Sequence, residues 1–331
     1  MNPPKCNDLD YINFLIATQR VYSCTEAARV QPPQLNPPAH DAHTRLLHRV
    51  TPDTTPLWQA AQPFVKLQNG VLVLDDSTLD KFYARPMELV TRHWSGKHHR
   101  VVQGINLVTL LWSDGDAHIP CDYRLYDKGT DGLTKNDHCQ VMLKTAHARG
   151  FQPQCVLFDS WYSRLPNLKL IRDWRWTWLT RFKDNRLVNP DRRGNRPLRD
   201  VTIAEQGTIV HRKGYGLIKV FTSVTPDGDS EYWATNDLRM NELTRLSRSE
   251  WAWTIETYHR GLKQFCGVEK CQARAARAQR NHSGFALRAF LRLERFSFRT
   301  GISWFEAKTA IIREAVSAYL ANPLYTLPTT A

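Results

Sequence analysis

Three carboxylates, Asp76, Asp159 and Glu256, sit in three different kinds of segment. Asp76, with its neighbour Asp75, closes the apolar run Val71-Leu72-Val73-Leu74. Asp159 closes Cys155-Val156-Leu157-Phe158, and Glu256 lies inside a long amphipathic helical stretch. Polar residues directly after short apolar runs mark strand ends, where α/β sheets present their chemistry. Carboxylates gathered from two strands and a helix in a basic protein point to bound magnesium acting on phosphates. Only one of Asp75 and Asp76 can face such a site, because side chains alternate across a strand.

Composition favours a polyanionic partner. The chain has 331 residues, and 45 Lys+Arg against 32 Asp+Glu leave a formal charge of +13. Seven cysteines at irregular spacings do not form a disulfide framework and read as reduced thiols. Met1-Asn2-Pro3-Pro4-Lys5-Cys6 lacks the apolar core of a signal peptide, and no run approaches the ~18 apolar residues that would span a bilayer. A soluble intracellular protein with no membrane partner is the expectation. No GxxxxGK[ST] loop or GxGxxG turn is present, so no nucleotide cofactor is implied. Cys266 and Cys271 with His259 and His282 have the wrong spacing for a zinc finger.

The elements that must position the carboxylates follow from pattern. In the N-terminal region Ser23 and Glu26 have capping-box spacing, Pro32-Pro33 stops that helix, and a second short helix after Pro37-Pro38 carries His43, Arg45, His48 and Arg49. Two short helices with a break between them suit a helix-turn-helix or a helical cap on the core. Gln103 to Trp112 and His118 to Tyr126 read as strands around the turn Ser113-Asp114-Gly115-Asp116. Thr134 to Gly150 reads as a helix with Thr134 as N-cap, Leu165 to Asp173 as a short helix, and Trp174 to Phe182 as a strand. Gly207 to Val224 and Glu231 to Thr235 alternate as strands do.

Around Glu256, helical geometry of about 100° per residue puts Trp253, Glu256, Arg260 and Lys263 in one ~80° sector, opposite Ile255, Tyr258, Leu262 and Phe265. Further on, Arg274, Arg277 and Arg280 recur at threes, and Arg288, Arg292, Arg295 and Arg299 stack along one helix face. Such stripes of like charge call for an anion beside them, and a phosphate backbone supplies it.

Five segments, taken in order, resemble the DDE transposases of bacterial insertion sequences, in the group called IS-four-like. They are Val73 to Lys81, Gly104 to Leu111, Pro120 to Asp127, Phe158 to Tyr162 and Trp253 to Glu256, within a likeness that runs from about residue 40 to 300. The resemblance implies an α/β fold, an RNase H-like mixed sheet flanked by helices and interrupted by a β-rich insertion, with a small helical N-terminal DNA-binding region. The corresponding regions are 1–66, 67–182, 183–232 and 233–331. It further implies that Asp76, Asp159 and Glu256 hold two Mg2+ ions, for which Mn2+ substitutes. Asp76 is preferred to Asp75 because the family's aspartate directly precedes a Thr or Ser, here Ser77. The implied activity is cleavage at element ends and strand transfer into target DNA by a dimer on DNA, in the bacterial cytoplasm at the nucleoid. Arg260, Lys263, Arg274, Arg277, Arg288, Arg292 and Arg295 are the expected DNA contacts. The family's helix carries a tyrosine and an arginine where Ser249 and Ala252 stand here, so Arg245, Arg248 or Arg260 would have to replace that arginine. A nuclease without strand transfer, or a catalytically silent DNA-binding descendant, are the alternative functions.

Overall fold

In the computed structural model, which describes residues 3–33, 35–95, 98–224, 228 and 230–323, the backbone divides into a helical unit, 1–53 with 260–331, and a sheet unit, 54–259. The helical unit begins with α1 (Asp8–Ala17), α2 (Cys24–Arg29) and α3 (His40–Arg49). Ser23 accepts from the Glu26 amide and starts α2, as its spacing predicts. Helix α1 is an addition to the two helices that the proline breaks predict. It is started by a capping box of Asn7 and Asp10, and it buries Tyr11, Ile12, Phe14 and Leu15.

The sheet unit opens with α4 (Thr55–Ala61), followed by β1 (Val71–Asp80), β2 (Thr91–Ser95), β3 (Arg100–Ser113) and β4 (His118–Tyr126). Next come α5 (Lys135–Ala148), β5 (Cys155–Phe158), α6 (Leu165–Asp173) and β6 (Trp178–Phe182). Strand β1 is central: it pairs antiparallel with β3 and parallel with β5, which pairs parallel with β6, while β4 pairs antiparallel with β3. The order β4-β3-β1-β5-β6 is the RNase H-like arrangement, three antiparallel strands and then two parallel ones reached through helices. Val71 to Leu74 and Cys155 to Phe158 are all buried, as expected of parallel strands covered on both faces. Fully burying each such aliphatic chain contributes about 1.5–3 kcal/mol. At the start of β1, Gly70 has φ +74, and a Cβ there would lie 2.6 Å from the Ser113 carbonyl oxygen, so only glycine lets β1 enter beside β3.

The β-rich region expected over residues 183–232 adds strands to the main sheet. A two-stranded ribbon, β7 (Leu187–Val188) with β8 (Arg196–Pro197), forms a second small sheet, and Asn189 just after β7 bridges it to His211. Strands β9 (Thr208–Arg212), β10 (Gly216–Val224) and β11 (Ser230–Thr235) join the main sheet through β11, which pairs antiparallel with β6, making nine strands.

The single long helix expected around Glu256 is two helices, α7 (Glu242–Ala252) and α8 (Thr254–Cys266), broken at Trp253. The boundary between the two units falls within α8, before Arg260. The helical unit closes with α9 (Ala276–Thr300), which packs on α1 and α3 and ends at Gly301 with φ 71, and with α10 (Trp304–Ala321). Among the described residues, no helix is long and apolar enough to cross a membrane.

Candidate active site

The β1–β5 register ends at Leu74 opposite Phe158, and one step further brings Asp75 beside Asp159. Asp159 keeps an extended backbone, φ −69 and ψ 161, before the 3-10 turn Ser160–Tyr162, so that step continues the strand. Residues in register on parallel strands share a face. Asp75 and Asp159 therefore lie on the face of Val73, Cys155 and Leu157. Helix α7 packs against β5, where Arg248 Nη1 donates to the Gln154 carbonyl at 2.6 Å. The chain then turns at Trp253 and presents Glu256 as the third residue of α8, where a helix N-terminus favours a carboxylate. Burial pushes the Asp75 carboxyl well above the usual range, and the charges of Asp76, Asp159 and Glu256 push it further. Asp159 and Glu256 are exposed, and the Ser160 amide donates to Asp159 Oδ1.

Asp76 faces the other way. Lys135 Nζ, at the start of α5, lies 3.0 and 2.9 Å from its two oxygens, Asn106 Nδ2 donates at 2.6 Å and the buried Tyr162 hydroxyl at 2.5 Å. Burial raises this carboxyl, but the Lys135 charge and the Asn106 and Tyr162 hydrogen bonds outweigh it and leave it below the ordinary range. This corrects the choice of Asp76 as the partner of Asp159: the alternation of β1 turns it onto the α5 face, where its oxygens are already occupied. A count along the chain carries the signal for Asp75. Each aspartate follows an apolar run of four, Val71 to Leu74 and Cys155 to Phe158.

The carboxylates of Asp75, Asp159 and Glu256 offer oxygen donors only, the kind that suits a hard cation such as magnesium or manganese. Among the described residues, no three His, Cys, Asp or Glu side chains are close enough to hold one ion as they stand. Burial first, and then the charges of Asp76, Asp159 and Glu256, disfavour an ionised Asp75, and a cation beside it would offset both, so the donor chemistry fits such a group. Asp76, saturated by three donors, does not.

The predicted DNA-contacting cations divide. Arg260 on α8 and Arg274, in the irregular segment before α9, are exposed. Lys263 lies 3.9 Å from Glu269. Arg277 donates to the carbonyls of Val50 at 3.0 Å and Arg49 at 3.2 Å, Arg288 pairs with Asp8 at 2.8 Å, and Arg292 donates to Asn13 Oδ1 at 3.3 Å. Arg295 is half-buried, and burial, with Arg299 and Arg292 beside it, lowers its affinity for its proton. Much of the arginine stripe is thus tied to α1 and the end of α3. Arg245 is buried against Glu242 and Trp233, and Arg248 ties α7 to the Gln154 carbonyl.

A sequence profile of the DDE superfamily endonucleases matches residues 14–202, more than half of the 331-residue chain, and includes both Asp75 and Asp159. No curated protein gave a significant sequence match. Among solved structures, the chain is similar to piggyBac transposase in a synaptic complex with hairpin DNA, at a TM-score of 0.48 and 12% identity, covering 100% of this chain and 80% of that one. On the profile match, the chain belongs to the DDE superfamily endonucleases.

Proposed function

We propose that the protein is a transposase of the insertion-sequence kind, in the IS-four-like group, which cuts DNA at element ends and joins the freed 3′-hydroxyl to target DNA. Asp75, Asp159 and Glu256 are its catalytic carboxylates. The observation that carries this reading is the register of Asp75 beside Asp159, with the charge of Glu256 acting on the same carboxyl. These three residues would hold two Mg2+ ions, with Mn2+ able to substitute, and such ions supply activation of the attacking oxygen and stabilisation of the leaving one. The chain's own part is placement. Asp75 is fixed within a central strand, Asp159 is oriented by the Ser160 amide, and Glu256 is held in the first turn of α8. The Asp76–Lys135 pair locks β1 to α5 and sets a fixed charge behind Asp75.

Arg260 and Arg274 are the foremost candidates for phosphate contact, and a dimer on DNA follows from the need to hold two ends at once. The site of action would be the bacterial nucleoid. The test is nicking of a supercoiled plasmid in Mn2+. The wild type should nick, and Asp159→Asn should lose nicking while retaining DNA in a gel shift. Joining of a 3′-hydroxyl oligonucleotide to the plasmid separates transposase from nuclease. Cleavage without joining would leave a nuclease, and binding without metal-dependent cleavage would leave a DNA-binding descendant.

A further inference from the structure

From Ile105 to Trp112, strand β3 is apolar except at two positions, Asn106 and Thr109. Both are buried, at 1% and 0% exposure. Each stands by one of the adjacent aspartates of β1. Asn106 donates to Asp76 Oδ2 at 2.6 Å. Thr109 is the direct antiparallel partner of Asp75, as Leu111 is of Val73. Residues paired in this way share a face of the sheet, with Cβ atoms about 4.5–5.5 Å apart. The Thr109 hydroxyl is buried and has no partner among the described residues. A hydroxyl in that condition destabilises the fold, and valine, with the same shape, would avoid the cost.

The two aspartates differ in what surrounds them. Asp76 takes donors from Asn106, Tyr162 and Lys135, which favour its ionised form. Burial and acidic neighbours disfavour the ionised form of Asp75. A carboxylate that binds a metal must be ionised, and its remaining lone pairs need donors when it is buried. Carboxylate ligands are accordingly hydrogen-bonded by groups behind them, which fix their orientation. The Cβ separation puts the Thr109 hydroxyl within reach of the Asp75 carboxyl once χ1 takes the staggered well that faces it.

We infer that Thr109 is a positioning residue for the metal site: its hydroxyl donates to the Asp75 carboxylate when a divalent cation holds that group ionised, and so orients it as Asn106 orients Asp76. The inference rests on the reading of Asp75 as a metal ligand beside Asp159.

The test is calorimetry of Mn2+ binding to the full-length chain, with urea denaturation in EDTA alongside, for the wild type, Thr109→Val, Thr109→Ser and Asp159→Asn. Thr109→Val keeps the shape and removes the hydroxyl. It should weaken Mn2+ binding about 10–100-fold, the usual effect of losing a group that orients a metal ligand. Its urea midpoint should stay equal or rise, because a buried hydroxyl without a partner has gone. Thr109→Ser keeps the hydroxyl and loses the methyl, so it should bind Mn2+ nearly as the wild type does while its urea midpoint falls. Affinity that follows the hydroxyl while stability follows the methyl is a pattern that a purely structural threonine does not produce. Wild-type affinity in Thr109→Val would overturn the inference, and so would a loss in folded Thr109→Ser as large as that in Thr109→Val. A loss in Asp159→Asn with none in Thr109→Val would sink this inference alone, whereas unchanged Mn2+ affinity in Asp159→Asn would sink the metal-site reading on which it rests.

Discussion

Asp75, which follows Leu74, lies beside Asp159, which follows the paired Phe158, whereas Asp76, one residue along, faces the other side of the sheet and pairs with Lys135. Two adjacent aspartates therefore have opposite energetic roles. Asp75→Asn should abolish metal-dependent nicking and leave stability equal or higher, since it removes a carboxyl whose ionised form its surroundings disfavour. Asp76→Asn strands the Lys135 ammonium in a largely buried position and should cost about 2–3 kcal/mol. Urea denaturation of both variants checks the pair.

Tyr162 provides a narrower test of the same network. Its hydroxyl donates to the Asp76 carboxylate from a fully buried ring. Tyr162→Phe keeps the ring and loses a hydrogen bond to a charged acceptor, so denaturation should show a loss of about 1.5–3 kcal/mol.

In the helical unit, Lys308 is buried and donates to the carbonyls of Leu15 at 3.4 Å, Thr18 at 2.7 Å and Phe265 at 2.8 Å. Burial pulls its ammonium down to about 8. Between that value and about 10.4 in the unfolded chain, the unfolded state binds more protons, so stability rises with pH. Lys308→Met should cost about 2–3 kcal/mol at neutral pH by leaving buried carbonyls without a donor. The wild type's advantage should then widen as pH climbs from about 8 to about 10. Melting curves across that range, taken on both proteins, read this directly.

Arginines that looked alike in sequence should separate by assay. Arg288→Ala breaks a partly exposed pair with Asp8 and should lower stability by about 0.5–1 kcal/mol. Arg274→Ala should leave stability unchanged, weaken DNA binding and reduce the salt slope by about one phosphate's worth. Thermal melts and binding isotherms at two salt concentrations distinguish the two outcomes.

Short-range pattern carried much of the fold. His118 to Tyr126, Cys155 to Phe158 and Leu165 to Asp173 have the bounds their sequence predicts, because each is framed by its own turn residues. The strand expected from Trp174 begins only at Trp178. Arg175 adopts φ 62, and Trp174 stacks on His147 at 4.4 Å, a tertiary contact that local alternation does not encode. The break at Trp253 was hidden because the amphipathic pattern runs across it. Asp159 and Glu256 stand where their segments put them, directly after β5 and in the first turn of a helix, whereas the facing of Asp75 and Asp76 depends on register with a strand some eighty residues away. The intramolecular partners of Arg288, Arg292 and Arg277 were illegible for a similar reason: the acceptors Asp8, Asn13 and the Val50 carbonyl lie more than two hundred residues upstream.

The most direct measurement is Mn2+ binding by calorimetry on the wild type, Asp75→Asn and Asp76→Asn. Placement of the site by Asp75 and Asp159 predicts that Asp75→Asn loses most of the binding while Asp76→Asn retains it in the folded protein. Retention by Asp75→Asn, with loss in a folded Asp76→Asn, would contradict it and return the site to the other face of β1.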